Sequence, residues 1–383
     1  MFELTKAQKG IQKAAKDFAK GEFDKELAYE LERDNEFPTK IWEKAADLGF
    51  IGIHFPEAYS GGAMGLLESV LIAEEFCRKD SSIGGALIHA SYAAECLLRF
   101  GSDELKSTYL PKIAEGEILS AGAFSESDHG SEEKTIETSA KKDSDEWIIN
   151  GTKKYVFNGA QAGFYIVLCQ TDPDASPTEK GQSMILVESD RQGISIEKVG
   201  KKIGGNMTTT ATVTFKDVRV PSINLVGKEG KGYDQLQAYL NESRIILAGQ
   251  ALGTSLGMFD RMMDYVKGRE QFGKKLAQFQ ISQHKIADMA TKIELAKLIT
   301  YKAAWSADNG QLDAKLSSMA KMTAARTAME VGGQTIQLYG GYGFMTEYEV
   351  ERYYRDAKVI ELQTGARDIQ KDIISGAIIG KIK

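Results

Sequence analysis

The last proline of this 383-residue chain is Pro221, so everything beyond it is free of the residue that breaks helices most strongly. Three stretches after it place apolar or small residues at helical spacing and exceed the length of a typical globular helix. They read ESRIILAGQALGTSLGMFDRMMDYVKGREQ, QFQISQHKIADMATKIELAKLITYKAAWSA and AKLSSMAKMTAARTAMEVGGQTIQLYG. These stretches predict a bundle of long helices in the C-terminal part of the chain.

The chain before Pro221 changes character near residue 120. The first part contains FPTKIWEKAADLGF and GLLESVLIAEEFCRKD, whose apolar spacing favours helices, with glycine-rich turns between them. The next part holds short β-type runs such as FYIVLCQT, SMILVES and TATVTFKDV, and the alternation in the last is typical of a strand with one buried face. We predict an α+β protein with an N-terminal helical domain (1–119), a middle β domain (120–225) and a C-terminal helical bundle (226–383).

Composition argues against several classes of function. A net charge of −6 and the absence of a long Lys/Arg run argue against a nucleic-acid partner. Cys77, Cys96 and Cys169 form neither a disulfide framework nor a metal-ligand spacing, which favours a reducing cytoplasm and no metal site. No segment reaches the length of a membrane span, and the charged N-terminus lacks the apolar core of a signal peptide. We therefore expect a soluble, cytoplasmic, multidomain protein.

Three polar or glycine-rich stretches are candidates for a ligand site. FSESDHGSE, from Phe124 to Glu132, offers hydroxyls and backbone amides that can bind a phosphate or a flavin edge, and an ordinary polar turn is the alternative. His129 within it has no second metal-ligating neighbour and is interpreted as a loop residue. In GREQFGKK, Arg269 can pair with a phosphate and Phe272 can cover an aromatic ring, unless the segment is only a helix–helix turn. IQLYGGYGF permits close backbone approach to a ligand, but paired glycines also end helices.

The order of these motifs is more informative than any one of them. SESDHGSE, INGTKKYVFNGA, FKDVRVP, GREQFGK, IQLYGGYGF, ERYYRDAK and TGARDIQ resemble the motifs of the acyl-CoA dehydrogenase family, in the family's order and spacing, over essentially the whole chain. The resemblance implies FAD as cofactor, an acyl-CoA thioester as substrate and electron-transferring flavoprotein as electron acceptor. It also implies N-terminal helices, a β-barrel-like middle domain, a C-terminal four-helix bundle, and a homotetramer built as a dimer of dimers.

The resemblance assigns ligand roles to individual positions. The residues that fall where the family contacts its own FAD are Phe124, Ser125, Gly130, Ser131, Tyr155, Phe157, Ala366 and Asp368. A second group falls where the family reaches the FAD of a neighbouring subunit: Arg269, Phe272, Gln280, Gln337 and Gly341. The residues at acyl-CoA-binding positions are Ser91, Tyr92, Ser131, Asn241, Arg244 and Gly365. Oligomerisation is then part of cofactor binding.

The catalytic base of the family is missing from its usual places. In most relatives a Glu just before the Gly of the closing motif removes the proton next to the thioester carbonyl, and here that position is Thr364. A smaller branch carries its Glu on the first helix of the bundle, and here that position is Ser243. A hydroxyl cannot replace a carboxylate, because its pKa is far too high without an activating partner. Glu242 is the candidate for a displaced base, although one residue turns a helix by about 100°.

Positions around the flavin also depart from the family's pattern. Phe157 stands where a hydroxyl is common, Tyr155 replaces an indole, and Ala366 replaces a threonine. With the missing base, these changes predict an acyl-CoA dehydrogenase with a displaced base and an unusual acyl group, alicyclic or already unsaturated. The alternatives are another flavin reaction on the same fold (monooxygenation, elimination, or oxidation of a carrier-protein-bound substrate) and a non-catalytic protein that binds FAD and a CoA ester.

Overall fold

The structure, a computed structural model, describes residues 3–130 and 134–380. Its first part is helical. Thr5 begins the first helix with a capping box, because its side chain accepts from the backbone of Gln8 while the Gln8 side chain accepts from the backbone of Thr5. The helices of this part are α1 (Lys6–Glu22), α2 (Lys25–Asp34), α3 (Thr39–Asp47), α4 (Leu66–Lys79), α5 (Ser81–His89), α6 (Ala94–Phe100) and α7 (Asp103–Ala114).

An eight-stranded sheet follows. Its strands are β1 (Ser120–Ala123), β2 (Ser139–Asp143), β3 (Glu146–Val156), β4 (Phe164–Gln170), β5 (Gln182–Glu188), β6 (Ile194–Lys198), β7 (Ala211–Pro221) and β8 (Leu225–Val226). The strand order is β6-β7-β3-β2-β4-β5-β8, and β1 pairs with β4 in parallel. Buried and more exposed residues alternate from Ala211 to Phe215 on β7, the pattern that the sequence predicts, whereas β4 is buried throughout.

The C-terminal part consists of long helices. Its elements are α8 (Gly232–Gly268), the hairpin strands β9 (Glu270–Gln271) and β10 (Lys274–Lys275), α9 (Gln280–Asp308), α10 (Ala314–Tyr339), α11 (Val350–Leu362) and α12 (Arg367–Ile379). α9 and α10 lie where the sequence predicts long helices. α8 begins earlier than the predicted stretch, at Gly232, where a Cβ would lie 2.7 Å from the Ser183 backbone.

Two glycines bring α8 close to α4. A Cβ at Gly253 would lie 2.2 Å from the carbonyl oxygen of Glu74, and a Cβ at Gly257 would lie 2.4 Å from the carbonyl oxygen of Arg78. Both contacts are with backbone, which cannot move aside as a flexible side chain can. Glycine at these positions therefore permits the close packing that joins the N-terminal helices to the bundle.

Buried apolar residues form three clusters in the protein. The N-terminal helices share an apolar cluster with one face of the sheet, the other face of the sheet has its own cluster, and the bundle has a third. Over the described ranges, no helix has both the length and the apolar character that crossing a bilayer requires.

Candidate active site

A cavity lies between the N-terminal helices and α8. Most of its walls are apolar side chains of α4, α5 and α8 and of the turn that precedes α4. Its polar lining residues are His54, Ser69, His89, Ser91, Tyr92, Glu95, Tyr239, Glu242 and Ser243. The predicted acyl-site residues Ser91 and Tyr92 therefore share one cavity with both Glu242 and Ser243.

Thr364 lies beside this cavity, in the turn between α11 and α12. Its hydroxyl is 3.4 Å from the hydroxyl of Tyr92. Its backbone is in the left-handed region, with φ of 56°, which is uncommon for a β-branched residue. The turn is held by Lys321, whose side-chain nitrogen donates to the carbonyl oxygens of Glu361 and Gly365 at 2.8 Å. Residue 364 is thus fixed at the cavity by contacts that do not involve a carboxylate.

His89, which the sequence analysis does not single out, lies between the cavity and Phe157. Its ring stacks on Tyr92 with centroids 5.6 Å apart and lies 5.2 Å from the ring of Phe157. Nδ1 is 2.6 Å from the carbonyl oxygen of Gly85, and Nε2 is 2.5 Å from the side-chain nitrogen of Gln363. Since a carbonyl can only accept, Nδ1 carries the proton and Nε2 accepts from the Gln363 amide. Burial lowers the pKa of His89, so the ring is neutral near pH 7.

Glu242 lines the cavity but is engaged in an ion pair. Both of its carboxylate oxygens interact with the guanidinium of Arg99, with Nε donating to Oε2 at 2.6 Å and Nη2 paired with Oε1. The neighbouring Ser243 is buried against the same cavity. Residues 242 and 243 both reach the cavity because it wraps around this part of α8. The rotation of one residue along the helix therefore does not separate them.

A second pair of titratable groups, also absent from the sequence-based candidates, lines the cavity. Nε2 of His54 is 2.5 Å from Oε1 of Glu95, and Nδ1 of His54 is 3.2 Å from the hydroxyl of Ser69. The sequence held one signal for Glu95. In HASYAAE it follows the predicted acyl-site residue Ser91 by four residues, a spacing that puts two side chains on one face of a helix. Contact between His54 and Glu95, 41 residues apart, has no such signal.

The predicted flavin residues of the middle domain gather at one edge of the sheet. The chain after β1 runs beside the end of β3, and the backbone N–H of Lys154 donates to the Ser125 carbonyl at 2.9 Å. This places Phe124 and Ser125 next to Tyr155 and Phe157. The ring of Phe124 also lies 5.9 Å from that of Tyr239 in the cavity wall. Gly130 is exposed at the end of this loop, and Ser131 lies outside the described residues.

A buried ion pair fixes this edge. The Lys153 ammonium donates to the carbonyl of Phe124 at 3.0 Å and to Glu126 at 2.8 Å. Glu126 also accepts from the backbone N–H groups of Glu137 and Thr138. Burial alone would raise the pKa of Glu126, but Lys153 and these donors outweigh it and lower the pKa to about 2. The loop that carries Phe124 and Ser125 is therefore tied to β3.

The remaining predicted substrate residues lie within α8 and in the turn before α12. Nη1 of Arg244 donates to Oδ1 of Asn241 at 2.6 Å. Gly365, with φ of 89°, accepts from Lys321 and from Gln370 through its carbonyl. Asn241, Arg244 and Gly365 are thus held by neighbours in the bundle.

The residues predicted to serve a second subunit form a separate group at one end of the bundle. Arg269, Phe272, Gln280, Gln337 and Gly341 are all exposed, and Phe272 is 95% exposed at the tip of the β9–β10 hairpin. The guanidinium of Arg269 lies 5.3 Å from the ring centre of Tyr342, next to Gly341. Within the described part of the chain, no hydrogen bond or ring contact joins these five residues to Phe124, Tyr155 or Phe157.

Two features of the site are compatible with a flavin nucleotide. The aromatic ring of Tyr155 is 64% exposed at the sheet edge, on a backbone with φ of 55°, although a ring of this kind normally packs against a neighbour. Ala366 precedes helix α12 as its N-cap residue and provides no side-chain cap, so the first N–H groups of the helix are available to a phosphate or hydroxyl. Asp368 is exposed in this first turn and pairs with Lys371 at 2.9 Å.

Comparison with known proteins agrees with this architecture. Three family profiles match consecutive parts of the chain: Acyl-CoA dehydrogenase, N-terminal domain (residues 5–117), middle domain (121–218) and C-terminal domain (230–379). The chain is 37% identical to the acryloyl-CoA reductase (NADH) of Anaerotignum propionicum, covering 99% of this chain and 96% of the relative. It is 36% identical to an acyl-CoA dehydrogenase of Bacillus subtilis (strain 168), covering 99% of this chain and 100% of the relative.

A solved structure gives the same result in three dimensions. A chain in a structure of the electron transferring flavoprotein of Acidaminococcus fermentans superposes with a TM-score of 0.96 at 35% identity, covering 100% of both chains. The order of helices, sheet and bundle predicted from the sequence is confirmed, as is FAD as the cofactor of the family that these comparisons identify. The chain belongs to the acyl-CoA dehydrogenase family of FAD-dependent oxidoreductases.

Proposed function

We propose that this protein dehydrogenates an acyl-CoA thioester with a base displaced from the family's usual positions, and that its acyl group is alicyclic or already unsaturated. The observation that carries the proposal is Thr364. Its hydroxyl stands at the cavity beside Tyr92, where the reaction needs a proton acceptor. Without a carboxylate next to the thioester, the enzyme is better suited to a substrate whose acidic proton is not on the carbon beside the thioester carbonyl. An unsaturated or alicyclic acyl group can provide such a proton.

We further propose that His89 takes up the proton. A base must carry a free lone pair at working pH, and burial keeps the imidazole of His89 neutral. Nδ1 is fixed by Gly85, so the lone pair is on Nε2, where it is held by a single donor, the Gln363 amide. A substrate that displaces this amide would meet the lone pair directly. Gln363 precedes Thr364, so His89 lies close to the position that the usual base occupies.

Glu242 is the other candidate for the base. Its carboxylate is paired with Arg99 through both oxygens, so accepting a proton would require this ion pair to open. Breaking a partly buried pair leaves a charge without its partner, which costs free energy. His89 needs only the loss of one neutral hydrogen bond, about 1 kcal/mol in a typical case. Because it costs less to free His89 than to free Glu242, we favour His89 as the base.

The proposal also assigns residues to the cofactor and to CoA, and it names an electron acceptor. FAD, when bound, supplies the acceptor for the hydride that leaves the acyl chain. Phe124, Ser125, Tyr155, Phe157 and the start of α12 would hold it, while Asn241 and Arg244 would contact the CoA portion. We propose electron-transferring flavoprotein as the electron acceptor, because a chain in the structure of such a flavoprotein superposes over 100% of both chains.

The first test is anaerobic bleaching of the flavin absorption by straight-chain, branched, alicyclic and unsaturated acyl-CoA esters. His89→Gln should keep its FAD content but slow flavin reduction by about 10²–10⁴-fold, the range for a positioned general base. Glu242→Gln is the matched control and should change the rate much less. In the wild type, the rate should be constant at neutral pH and fall only below the usual pKa of histidine, because the protonated ring cannot accept a proton.

The reciprocal change tests whether the base has moved or been lost. Thr364→Glu restores a carboxylate at the family's position and should add dehydrogenation of straight-chain acyl-CoA esters. Rapid bleaching of wild-type flavin by one class of ester would establish the dehydrogenase and its substrate class. If no ester bleaches the wild type at full FAD occupancy and Thr364→Glu gains nothing, the proposal fails in favour of another flavin reaction or a binding role.

A further inference from the structure

The cavity contains a polar cluster that proton removal near Thr364 does not require. The cluster consists of Ser69, His54 and Glu95, joined by contacts of 3.2 Å and 2.5 Å. Its members come from three separate elements: His54 from the turn before α4, Ser69 from the first turn of α4, and Glu95 from the first turn of α6. All three line the cavity, whose neighbouring walls are apolar: Phe50, Ile51, Ile53, Leu66 and Ile72.

The cluster is shielded and strongly polar. The side chains of His54 and Glu95 are 16% and 19% exposed. Burial opposes a charged imidazole, yet the carboxylates of Glu95 and Asp308 outweigh it and raise the pKa of His54. Asp308 itself does not line the cavity, because its carboxylate accepts from the backbone of Leu66 and Leu67 at the start of α4. The cavity therefore holds a His54–Glu95 pair, joined at 2.5 Å, in an apolar wall.

One atom of this cluster has capacity left for a ligand. Oε1 of Glu95 is taken by His54, whereas no described residue donates a hydrogen bond to Oε2. A hydrocarbon group packed here would remove water from that oxygen and leave it without a donor, which is unfavourable. A carboxylate-bearing acyl group would face the carboxylates of Glu95 and Glu242, which are already paired with His54 and Arg99. A neutral hydroxyl fits both ends of the cluster, because it can donate to Oε2 of Glu95 and accept from the Ser69 hydroxyl when Nδ1 of His54 donates to the Ser69 oxygen.

We propose that Ser69, His54 and Glu95 form a subsite for a hydroxyl group on the acyl chain, remote from the thioester. The substrate class is then a hydroxylated acyl-CoA. This inference rests on the proposed function only in taking the cavity as the acyl site. A purely structural role for the pair is the competing explanation. A structural pair would affect ligands with and without the hydroxyl equally.

The test measures binding and not turnover. Isothermal titration of the FAD-loaded protein would compare cyclohexanecarboxyl-CoA with the same ester carrying a hydroxyl on the ring carbon opposite the carboxyl group. The wild type should bind the hydroxylated ester about tenfold more tightly, the size expected for one hydrogen bond to a charged group. Glu95→Gln and Ser69→Ala should reduce this preference toward onefold. Glu242→Gln removes a charge from the same cavity and should leave the preference unchanged.

The outcomes separate this inference from the proposed function. Equal affinity of the wild type for both esters overturns the subsite, even if either ester bleaches the flavin. An equal loss of affinity for both esters in Glu95→Gln, at normal FAD content, assigns the pair a structural role and also overturns it. A hydroxyl preference that disappears in Glu95→Gln supports the subsite. If neither ester then bleaches the flavin, the subsite still stands, because its test measures binding, and the proposed dehydrogenation is decided by the wider series of esters.

Discussion

Lys153 shows how one side chain can fix the predicted cofactor edge. It is fully buried and joins β3 to the loop that follows β1, through the Phe124 carbonyl and the Glu126 carboxylate. Lys153→Met should destabilise the fold by about 3 kcal/mol, because it leaves the buried Glu126 charge without its ammonium partner. Chemical denaturation would measure this, and FAD retention should fall in parallel.

The charge-neutral double variant Lys153→Met/Glu126→Gln is the control and should recover most of the lost stability. The effect also has a pH signature. The pKa of Glu126 is lowered from 4.5 to about 2 in the folded protein, so its stabilisation is complete above pH 4.5 and is lost as the pH falls toward 2. The difference between wild type and Lys153→Met should shrink over that window. A constant difference would contradict the assigned ion pair.

Individual residues of the site were predictable from sequence to different degrees. Thr364 was located because the motifs on either side fix its register along the chain. His89 and Glu95 were missed because their significance depends on contacts with Gln363 and His54, which are distant in sequence. A sequence motif contains only residues that are close along the chain, whereas the walls of a cavity come from several helices.

At the scale of elements, the turn between α11 and α12 depends on α10. Lys321 of α10 is 1% exposed and donates to two carbonyls of that turn. Burial, together with Arg244, lowers the pKa of Lys321 from 10.5 to about 7, and a neutral amine still has a donor for each carbonyl. From pH 7 upward the unfolded chain binds a proton that the folded protein does not, so stability rises with pH.

Lys321→Met removes this linkage. The stability advantage of the wild type over the variant should therefore grow between pH 7 and pH 9 by up to about 1.4 kcal/mol per pH unit. Denaturation midpoints at several pH values would measure it, with Lys302→Met, an exposed lysine of α9, as the control that shows no such trend. An advantage that stays level or shrinks with pH would show that Lys321 is charged in the folded protein.

Elements were predicted best where local signals suffice. α9 and α10 follow from helical spacing in a proline-free region, and Asp313 caps α10 by accepting from the Lys315 backbone. The segment between α8 and α9, which was interpreted as a ligand loop or a plain turn, forms a two-stranded hairpin with Phe272 exposed at its tip. The hairpin was not predicted because its tip needs a residue in the left-handed region. Phe272 takes that conformation, with φ of 53°, but a phenylalanine in a sequence does not indicate it.

At the scale of the whole molecule, several large apolar side chains of the bundle are exposed to solvent. The exposed apolar residues of α9 and the turn after α10 are Ile281, Leu295, Leu298, Trp305, Phe344 and Met345. Phe272, at the tip of the β9–β10 hairpin, is 95% exposed. An apolar surface of this kind on a folded chain is typical of an interface. We expect a second copy of the chain to cover it.

Phe272→Ser tests the expected homotetramer and its link to the cofactor. Removing the most exposed ring of the hairpin should weaken association and lower FAD content together, because Phe272 and Arg269 are predicted to reach the flavin of a neighbouring subunit. Sedimentation velocity and the ratio of flavin to protein absorbance would measure the two effects. Leu48→Ser is the control, since Leu48 is a 63% exposed apolar residue of the N-terminal helices. A variant that stays tetrameric but loses FAD would assign Phe272 to the cofactor alone, whereas unchanged assembly and FAD content would place the interface elsewhere.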